Sequence, residues 1–456
     1  MTPALIRRAA FSALATALAG GAAAQFDVQL PLQYGYQQTV ANPAALQDHR
    51  VTVALPSVGA GFRTPFTVRD LGEVRDGTLY VDPDQAINRL DERGNDQHAL
   101  ATADVLGFNY RGKTWQVGAS YRSRVHGHLD LPRGLVQVAA YGNARYLGQT
   151  LEVMPTANVT AFDEYGVHGA LIFREKFTVG ARAKFLRGTF AYKTTTARAE
   201  LYTDPETYAT DLVTDITIHT AGAPVTFDRA GIEIGDVEGL GAAGAGVGVD
   251  LGLVYRHRDN LEVGLSIRDI GAIVWEEGTR HRSNGGFEFR GYEGNVLADG
   301  GRVELDVAGT VDSLVGEVDF VAVEEAFRTA LPTTIQATGR YALGKGTTAH
   351  ATVFAAGAQT WQGGMGIGLG QRFGEWVHVG MLAGMQPSGG FLGANLLLDV
   401  YGVQFYAATD NILPLFDLQG AKSAYVRAGM NLSFGKVRGR KVVKGWYDTK
   451  VEGINK

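Results

Sequence analysis

Ser423–Phe434, with the sequence SAYVRAGMNLSF, alternates between two kinds of residue along its whole length. Every second residue is apolar, and these residues are Ala424, Val426, Ala428, Met430, Leu432 and Phe434. A period of two is typical of a β-strand with one apolar face and one polar face. The length of about a dozen residues matches a tilted transmembrane strand, and aromatic residues at both ends suit the headgroup regions of a bilayer. Because a strand of a soluble sandwich would alternate in the same way, the prediction depends on how often the pattern recurs.

The same pattern recurs in six pairs of segments, each joined by a short charged or glycine-containing turn. The pairs are His98–Tyr110 with Thr114–Val125, Ala157–Phe173 with Phe177–Tyr192, Gly246–Arg256 with Leu261–Ile270, Thr333–Leu343 with Thr347–Ala356, Gly363–Phe373 with Val377–Met385, and Phe391–Val400 with Val403–Asp410. Together with Arg50–Phe62 and the closing strand, they predict about 14 strands. This count favours an all-β fold, a transmembrane antiparallel β-barrel.

The connections between these segments differ in length on the two sides of the predicted barrel. The links opposite the tight turns are long, at roughly Arg63–Gln97, His126–Thr156, Lys193–Ala245 and Val274–Leu331. Short periplasmic turns and long outer loops are typical of outer-membrane barrels. We therefore place both chain ends in the periplasm. We expect Ala197–Thr220, whose sequence is also typical of strands, to form a hairpin outside the membrane. Short helices in Leu131–Tyr146 and Ser313–Phe327 are expected to cap the outer mouth.

The N-terminus predicts export. Arg7 and Arg8 precede the apolar run Phe11–Gly20, and three alanines at 22–24 precede a predicted cleavage at Gln25, so residues 1–24 read as a signal peptide. A membrane anchor is the alternative, but this apolar run is too short to span a bilayer. Beyond it there is no apolar stretch of 18 residues, so the mature chain could enter a membrane only as a closed barrel. The expected location is the outer membrane of a diderm bacterium.

Charged and polar residues on the alternate face are predicted to line the lumen, because each charge facing the bilayer midplane would cost about 2–4 kcal/mol. These residues are Arg122, Arg124, Arg182, Lys184, Asp250, Glu262, Arg268, Asn395, Asp399 and Arg427, together with Arg256 and Arg340. Both signs of charge are present, which indicates a crosslinked, hydrated lumen rather than a strongly selective ion pore.

Several motifs in the sequence are candidate sites, and none favours catalysis. Gly107–Thr114 fits the phosphate-loop pattern, but it lies between two strands rather than before a helix, and a net charge of −5 argues against nucleic acid. With no cysteine, neither a disulfide nor a thiolate metal site can form. His126 and His128 could present two imidazoles on one side of a strand, but no third ligand is evident, so we expect no metal site and no cofactor. Without a G-x-S-x-G or H-E-x-x-H motif, we identify no catalytic residue and expect a protein that is not an enzyme.

Two further features are isolated. His378 is expected to face the lumen near Gly366 and Gly380, as part of a polar network or beside a small molecule. The acidic turns at Asp82–Asp84 and Asp204–Glu206 could bind calcium weakly or bridge lipopolysaccharide, although turn chemistry explains them equally well.

The chain resembles the FadL-like (long-chain fatty-acid transporter) superfamily in two segments and one motif. The segments are GVGVDLGLVYRHRDNLEVGLSIRDIGAIVW and FYAATDNIL, and the motif is Asn42-Pro43-Ala44. The chain also resembles an uncharacterised family of outer-membrane barrels from Bacteroidota. The segments that carry this resemblance are QYGYQQTVANPA, DGTLYVDPD, VLGFNYRGKTWQVG, AYGNARYLGQT and ELYTDPETY. The resemblance implies a 14-stranded barrel (residues 50–434) with an N-terminal hatch (residues 25–49) that enters the lumen at Asn42, Pro43 and Ala44. Leu30, Tyr34 and Tyr36 would line a ligand path beside this hatch.

Two functions remain open at this point. The first is passive uptake of small hydrophobic molecules across the outer membrane. The second is a barrel that docks partner proteins, for which the basic tail at residues 435–456 could serve as a docking peptide if it is not simply a disordered periplasmic tail. Outer-membrane lipid, lipopolysaccharide and, during insertion, the barrel-assembly machinery are the expected partners.

Overall fold

The structure, a computed structural model, describes residues 35–76, 78–92, 94–174, 176–223, 225–228, 231–234, 241–257, 260–289, 320–357, 361–417 and 419–437. The predicted signal peptide, most of the basic tail, and Leu30 and Tyr34 lie outside the described residues. The described helices are α1 (Gln37–Ala41), α2 (Val68–Leu71), α3 (Pro83–Arg89) and α4 (Arg133–Tyr141), with 3-10 turns at Asn143–Tyr146 and Leu413–Leu415. Among the described residues, no helix is both long enough and apolar enough to cross a membrane.

Strands make up most of the described chain. In order they are β1 (His49–Ala54), β2 (Ser57–Arg63), β3 (Gly72–Arg75), β4 (Thr78–Val81), β5 (Asp96–Arg111), β6 (Trp115–Asp130), β7 (Thr150–Glu152), β8 (Thr156–Phe173), β9 (Phe177–Thr203), β10 (Thr210–Ala221), β11 (Val225–Asp228), β12 (Gly231–Ile234), β13 (Gly244–His257), β14 (Leu261–Trp275), β15 (Gly278–Phe289), β16 (Val321–Glu324), β17 (Phe327–Ala330), β18 (Thr333–Gly344), β19 (Thr347–Gly357), β20 (Trp361–Phe373), β21 (Val377–Gln386), β22 (Gly389–Val400), β23 (Val403–Thr409) and β24 (Ser423–Lys436).

Fourteen antiparallel strands close into a barrel, which confirms the predicted fold class. The first of them is interrupted at Pro56, which cannot donate to the ladder, and so consists of β1 and β2. Both halves pair with β5 on one side and with the last strand, β24, on the other. Val53, for example, lies opposite Phe108 and Leu432. The remaining barrel strands are β6, β8, β9, β13, β14 and β18–β23.

The two ends of the barrel differ as the sequence predicted. Six tight turns, such as those after Arg111 and Phe373, lie at the end where the first and last strands begin and finish. The other end carries α2–α4 and the strands outside the wall. β9, which is 27 residues long, extends beyond the wall here and forms a long hairpin with β10, which confirms the hairpin expected in Ala197–Thr220.

Two helices were expected to cap the outer mouth, and one of them is present. The prediction of the other helix is wrong for the residues that the structure describes. Leu131–Tyr146 contains α4 and a 3-10 turn. In Ser313–Phe327 the first seven residues lie outside the described residues, and the rest enters β16 and β17 instead of a helix. The β-branched residues Val321 and Val323 favour strand, and β16 pairs with β15 in the extended outer sheet. Tertiary pairing therefore overrides the weak helical periodicity of this segment.

The outside of the barrel wall is apolar, whereas the charged side chains of the wall lie mostly on the inside. On β20, Met365, Ile367 and Leu369 expose 62%, 72% and 56% of their surface, while glycines alternate with them on the lumenal face. Alternation of this kind is what a barrel requires when it is surrounded by an apolar medium and filled with polar groups.

Candidate functional site

The N-terminal segment Tyr36–Gln47, which we call the plug, lies inside the barrel. All five residues of α1 are buried, and Ala44 is fully covered. The plug contacts opposite walls, because it hydrogen-bonds to β6 on one side and to β14 and β24 on others. It therefore crosses the lumen and narrows it.

The Asn42-Pro43-Ala44 turn rests on a part of the wall that has no side chains. Asn42 Nδ2 donates to the main-chain oxygens of Leu253 (3.5 Å) and Leu265 (3.3 Å), and Asn42 Oδ1 accepts from the Ala44 amide (2.9 Å). Gly180 and Gly252 lie opposite each other on β9 and β13 directly beneath this turn. A Cβ on Gly252 would be 2.1 Å from Asn42 Oδ1, so only glycine permits this close approach.

Two lumenal arginines meet the C-terminal end of α1. Arg182 Nη2 donates to the main-chain oxygen of Thr39 (3.1 Å), and Arg268 Nη1 donates to that of Val40 (3.5 Å). The last carbonyls of a helix have no partner within the helix, and cations are favoured beside them. These contacts tie the plug to β9 and β14.

Amide side chains hold the plug to the other walls. Gln37 and Asn431 exchange two hydrogen bonds of 3.1 Å each, and Gln116 contacts the plug twice, accepting from the Gln47 amide (2.8 Å) and donating to the Ala45 carbonyl (3.1 Å). Tyr36 donates its hydroxyl to the Ala119 carbonyl (3.2 Å). Of the three residues predicted to line a ligand path, Tyr36 is thus a buried plug residue.

Nine charged side chains form a continuous chain of contacts across seven of eight consecutive barrel strands, and we call them the lumenal ion-pair network. In order of contact these residues are Arg427, Asp104, Arg122, Glu164, Arg124, Asp269, Lys184, Asp250 and Arg182. The central cation is Lys184, whose Nζ lies 2.6 Å from Asp269 and 2.7 Å from Asp250. Charges buried to this degree require partners, and here each is paired.

The remaining predicted lumenal residues lie outside this network. Glu262 forms a separate cluster near the tight turns, where it contacts Arg256 (2.9 Å) and Arg340 (3.3 Å). Asp399 accepts from the Gly402 amide (3.1 Å) and Gln404 (2.8 Å), so it fixes a hairpin turn. Two further residues lie on the lumenal face of β21 and β22: Asn395, which covers Gly380, and His378, which is buried opposite Leu397.

Three acids of the network were not among the predicted residues. Asp104 and Asp269 lie at β-bulges, where the register shifts and the two-residue alternation is broken. Asp269 also has a φ of 59°, a left-handed conformation that aspartate tolerates better than most residues. Glu164 could have been found, because it alternates with the exposed Tyr165 and Val167.

The opposite side of the lumen, on β19–β23, is uncharged in its middle. Four apolar residues and a tyrosine are buried on it, and we call them the apolar strip: Phe354, Leu382, Phe391, Leu397 and Tyr406. The side chains of Phe354, Leu382 and Phe391 lie against glycines of β20 and β21, whereas Tyr406 lies against Gly429 of β24. A Cβ on Gly364 would be 2.6 Å from Phe354 Cζ, and one on Gly384 would be 2.4 Å from Phe391 Cζ. Glycine in this wall therefore leaves width for an apolar surface inside a polar barrel.

A cavity of about 430 Å³ lies among the outer strands. Its lining includes Thr220, Ala221, Val225, Ala243, Thr279 and His281. It is large enough for a small organic molecule.

A closed barrel with a plug in a crosslinked lumen defines the chain as a plugged β-barrel protein. Residues 43–410 match the model of the family described as "Family of unknown function (DUF5723)", and the chain belongs to that family.

No curated protein matches the chain. Among solved structures, it is similar to the Pseudomonas putida toluene transporter TodX, with 10% identity, a TM-score of 0.45 and coverage of 88% of this chain and 95% of that one. It is also similar to a Pseudomonas aeruginosa FadL homologue, with 9% identity, a TM-score of 0.43 and coverage of 91% of this chain and 96% of that one. A third similar structure is the Ralstonia pickettii toluene transporter TbuX, with 9% identity, a TM-score of 0.42 and coverage of 88% of this chain and 94% of that one.

Proposed function

We propose that this protein is an outer-membrane channel through which small hydrophobic molecules pass passively, with the plug as its gate. The observation that carries the proposal is the position of the plug, which is held by polar hydrogen bonds beside an apolar strip inside the same lumen. Export by the signal peptide at residues 1–24, and contact with outer-membrane lipid and lipopolysaccharide, belong to the same proposal. We propose no enzymatic activity.

The apolar exterior supports placement in a membrane. Val247, Val167 and Ile367, on three different barrel strands, expose 70%, 66% and 72% of their surface. Large exposed apolar surfaces are rare on soluble proteins and mark contact with lipid or protein. The charges, in contrast, are buried on the lumenal side, where they do not face lipid.

The kind of contact that holds the plug supports a gating role. Several of its contacts are hydrogen bonds to Gln116, Arg182, Arg268 and Asn431. Each bond from an amide side chain contributes only about 0.5–1.5 kcal/mol net, and each bond from an arginine about 1.5–3 kcal/mol, because water replaces the bond when it opens. A segment held in this way can shift without exposing a large apolar core.

The apolar strip supports the choice of cargo. Binding sites for small molecules are mostly apolar with a few placed polar groups. The strip has this character, with Tyr406 and His378 as polar groups among apolar side chains. The opposite, charged wall would solvate an ion poorly, since each charge of the network already has an ion-pair partner.

The test is uptake of the hydrophobic dye N-phenyl-1-naphthylamine by intact diderm cells that produce the protein. Ala408 lies on the lumenal face, opposite Arg427, whereas its neighbour Ala407 is exposed on the outside of β23. We expect Ala408→Trp to reduce protein-dependent uptake several-fold, because the indole fills the lumen beside the apolar strip. The matched control, Ala407→Trp, adds the same side chain outside the lumen and should leave uptake unchanged. Equal uptake by cells with and without the protein would refute the channel.

A docking barrel is the second candidate function, and one observation favours it. On the outer loop after β23, Leu415 and Phe416 expose 78% and 82% of their surface. If the protein docks a partner through this loop, the double variant Leu415→Asp/Phe416→Asp would abolish binding of that partner, whereas Ala408→Trp would leave the binding unchanged. The two variants therefore separate the candidates.

A further inference from the structure

Three potential metal ligands meet at the outer end of the second and third barrel strands. His98 on β5 and His128 on β6 are directly paired, and Asp96 lies two residues before His98 on the same face of the sheet. Residues two apart on a strand, together with a cross-strand partner, can present three side chains to one point. In the sequence, His126 and His128 are the pair that could present two imidazoles on one side of a strand. However, the ring of His126 stacks on Phe162 (5.8 Å between ring centroids), and the partners of His128 come from the neighbouring strand.

The distances fit a single bound cation. One ligand atom from each residue lies within 4.8 Å of the other two, and the imidazole centroids of His98 and His128 are 4.8 Å apart. His128 Nε2 is 2.7 Å from Asp96 Oδ1. In a tetrahedral zinc site the ligand atoms are about 3.3 Å apart, given metal–ligand distances near 2.0–2.1 Å. Side-chain rotations that bring the most distant ligand atoms closer by up to about 1.5 Å, and separate the closest pair by about 0.6 Å, would therefore convert the cluster into a coordination site.

A second observation points to a missing ligand. Nε2 of His98 is buried and has no hydrogen-bond partner within the part of the chain that the structure describes. Buried polar atoms are nearly always satisfied, so an unpaired one of this kind calls for an explanation such as an ion. We propose that Asp96, His98 and His128 bind a divalent transition-metal ion such as Zn²⁺. This site is independent of the proposed channel function.

The surroundings both support and oppose a cation. Asp130, which is paired with Asp96 across the strands, adds a second carboxylate and is held by the Asn95 amide. Arg63, paired with His98, is a nearby positive charge. With the two carboxylates counted against this one arginine, the site is acidic before a cation binds.

The donor set selects the class of metal. Two imidazole nitrogens and one carboxylate oxygen suit zinc and its neighbours in the transition series, whereas calcium and magnesium prefer oxygen ligands alone. Three protein ligands leave the fourth position of a tetrahedral ion to water. No bond in the protein breaks: each neutral imidazole coordinates through one nitrogen and keeps its proton on the other. The ion would join β5 to β6 at the outer mouth, where the sheet has no further turn to hold the two strands together.

The experiment measures zinc directly on the full-length mature protein, purified in detergent without a histidine tag. After incubation with ZnCl₂ and gel filtration, inductively coupled plasma mass spectrometry should find about one zinc per wild-type chain. His98→Asn, His128→Asn and Asp96→Asn should each weaken zinc affinity at least about tenfold, as expected when a ligand set is disturbed. Co²⁺ in place of zinc should give visible d–d absorption that the variants lack.

The matched control is His257→Asn, which changes a histidine near the opposite end of the barrel whose Nδ1 hydrogen-bonds to Tyr255 (3.0 Å). It should retain one zinc per chain. Heat-modifiable electrophoretic mobility shows that each variant is a folded barrel, and Asp96→Asn also preserves side-chain size. A wild-type chain without zinc, or zinc content that is the same in wild type and in the His98→Asn/His128→Asn double variant, would overturn the proposal.

Discussion

Gln37 in the plug and Asn431 in the last barrel strand are 394 positions apart, yet they exchange two side-chain hydrogen bonds of 3.1 Å each. Both side chains are buried, with Gln37 5% and Asn431 0% exposed. An amide pair of this kind satisfies a donor and an acceptor on each residue at once. It connects the beginning of the described chain to its end across the lumen.

Removing one partner of this pair should loosen the plug. In Asn431→Leu, the Gln37 amide stays buried without its partner, which costs about 1–3 kcal/mol. We expect a lower free energy of unfolding in denaturant titrations followed by tryptophan fluorescence, together with faster uptake of the hydrophobic dye. The double variant Gln37→Leu/Asn431→Leu replaces both partners and should recover most of the stability. If the two single substitutions simply add in the double variant, the pair does not hold the plug.

The glycine beneath the Asn42 turn gives a second way to displace the plug. In Gly252→Ala, the new Cβ would lie 2.1 Å from Asn42 Oδ1, so the turn must move away from the wall. The chain has no cysteine, which allows a single reporter, Ala45→Cys, to be labelled with a maleimide. Labelling should be several-fold faster with Gly252→Ala than without it. The control is Gly339→Ala, where a Cβ meets nothing within 4 Å and labelling should not change.

Lys184 is the cation on which the lumenal ion-pair network depends most. It contacts three acids, at 2.6 Å (Asp269), 2.7 Å (Asp250) and 3.6 Å (Glu164). Lys184→Met leaves these buried carboxylates without a central partner and should lower the free energy of unfolding by about 3–5 kcal/mol. Lys176→Met, in an exposed tight turn, should change it by less than about 0.5 kcal/mol. Similar unfolding midpoints for the two variants would show that the network contributes little to stability.

The barrel could be predicted from the sequence because the alternation that indicates each strand is a local pattern. Alternation along β20 or β24 can be read within a dozen residues, and the number of strands follows from counting such segments. The prediction of a plug depended on the resemblance at Asn42-Pro43-Ala44, because nothing in the periodicity of this segment shows that it enters a lumen. The cluster of Asp96, His98 and His128 was missed, since it depends on the register between β5 and β6, which the sequence does not reveal.

The network illustrates a second limit of sequence reasoning. Arg122, Arg124, Arg182 and Lys184 were identified because a charge facing lipid is costly, an argument that needs only the strand period. Their partners Asp104 and Asp269 lie where a bulge changes that period. Bulges arise from the curvature of the closed sheet, and a single strand carries little signal for them.

The lipid-facing surface can be tested at Ile367, which lies mid-strand on β20 and is 72% exposed. Ile367→Arg places a charge near the middle of the proposed bilayer and should reduce the free energy of folding into lipid vesicles by about 2–4 kcal/mol. Val81→Arg, on the exposed outer strand β4, serves as the control and should have little effect. Equal effects in the two variants would argue that Ile367 faces water.

The outer loop after β2 should respond to acid through Asp70. In α2, Asp70 Oδ2 accepts from the Thr67 amide (2.8 Å), while Thr67 Oγ1 accepts from the Asp70 amide (3.2 Å), and Arg89 Nε lies 3.1 Å from Asp70. Partial burial raises the pKa of Asp70, but the hydrogen bonds from Thr67 and the charge of Arg89 outweigh it and hold the pKa below its ordinary value of 3.8. The carboxylate therefore stabilises the loop fully at neutral pH, and this contribution is lost as the pH falls below 3.8 and through the depressed pKa. Hydrogen-exchange protection factors of the Asp70 amide, corrected for intrinsic rates, should fall over that range in the wild type. They should stay nearly constant in Asp70→Asn, whose amide has no proton to gain, and a parallel fall in both proteins would assign the acid response to another group.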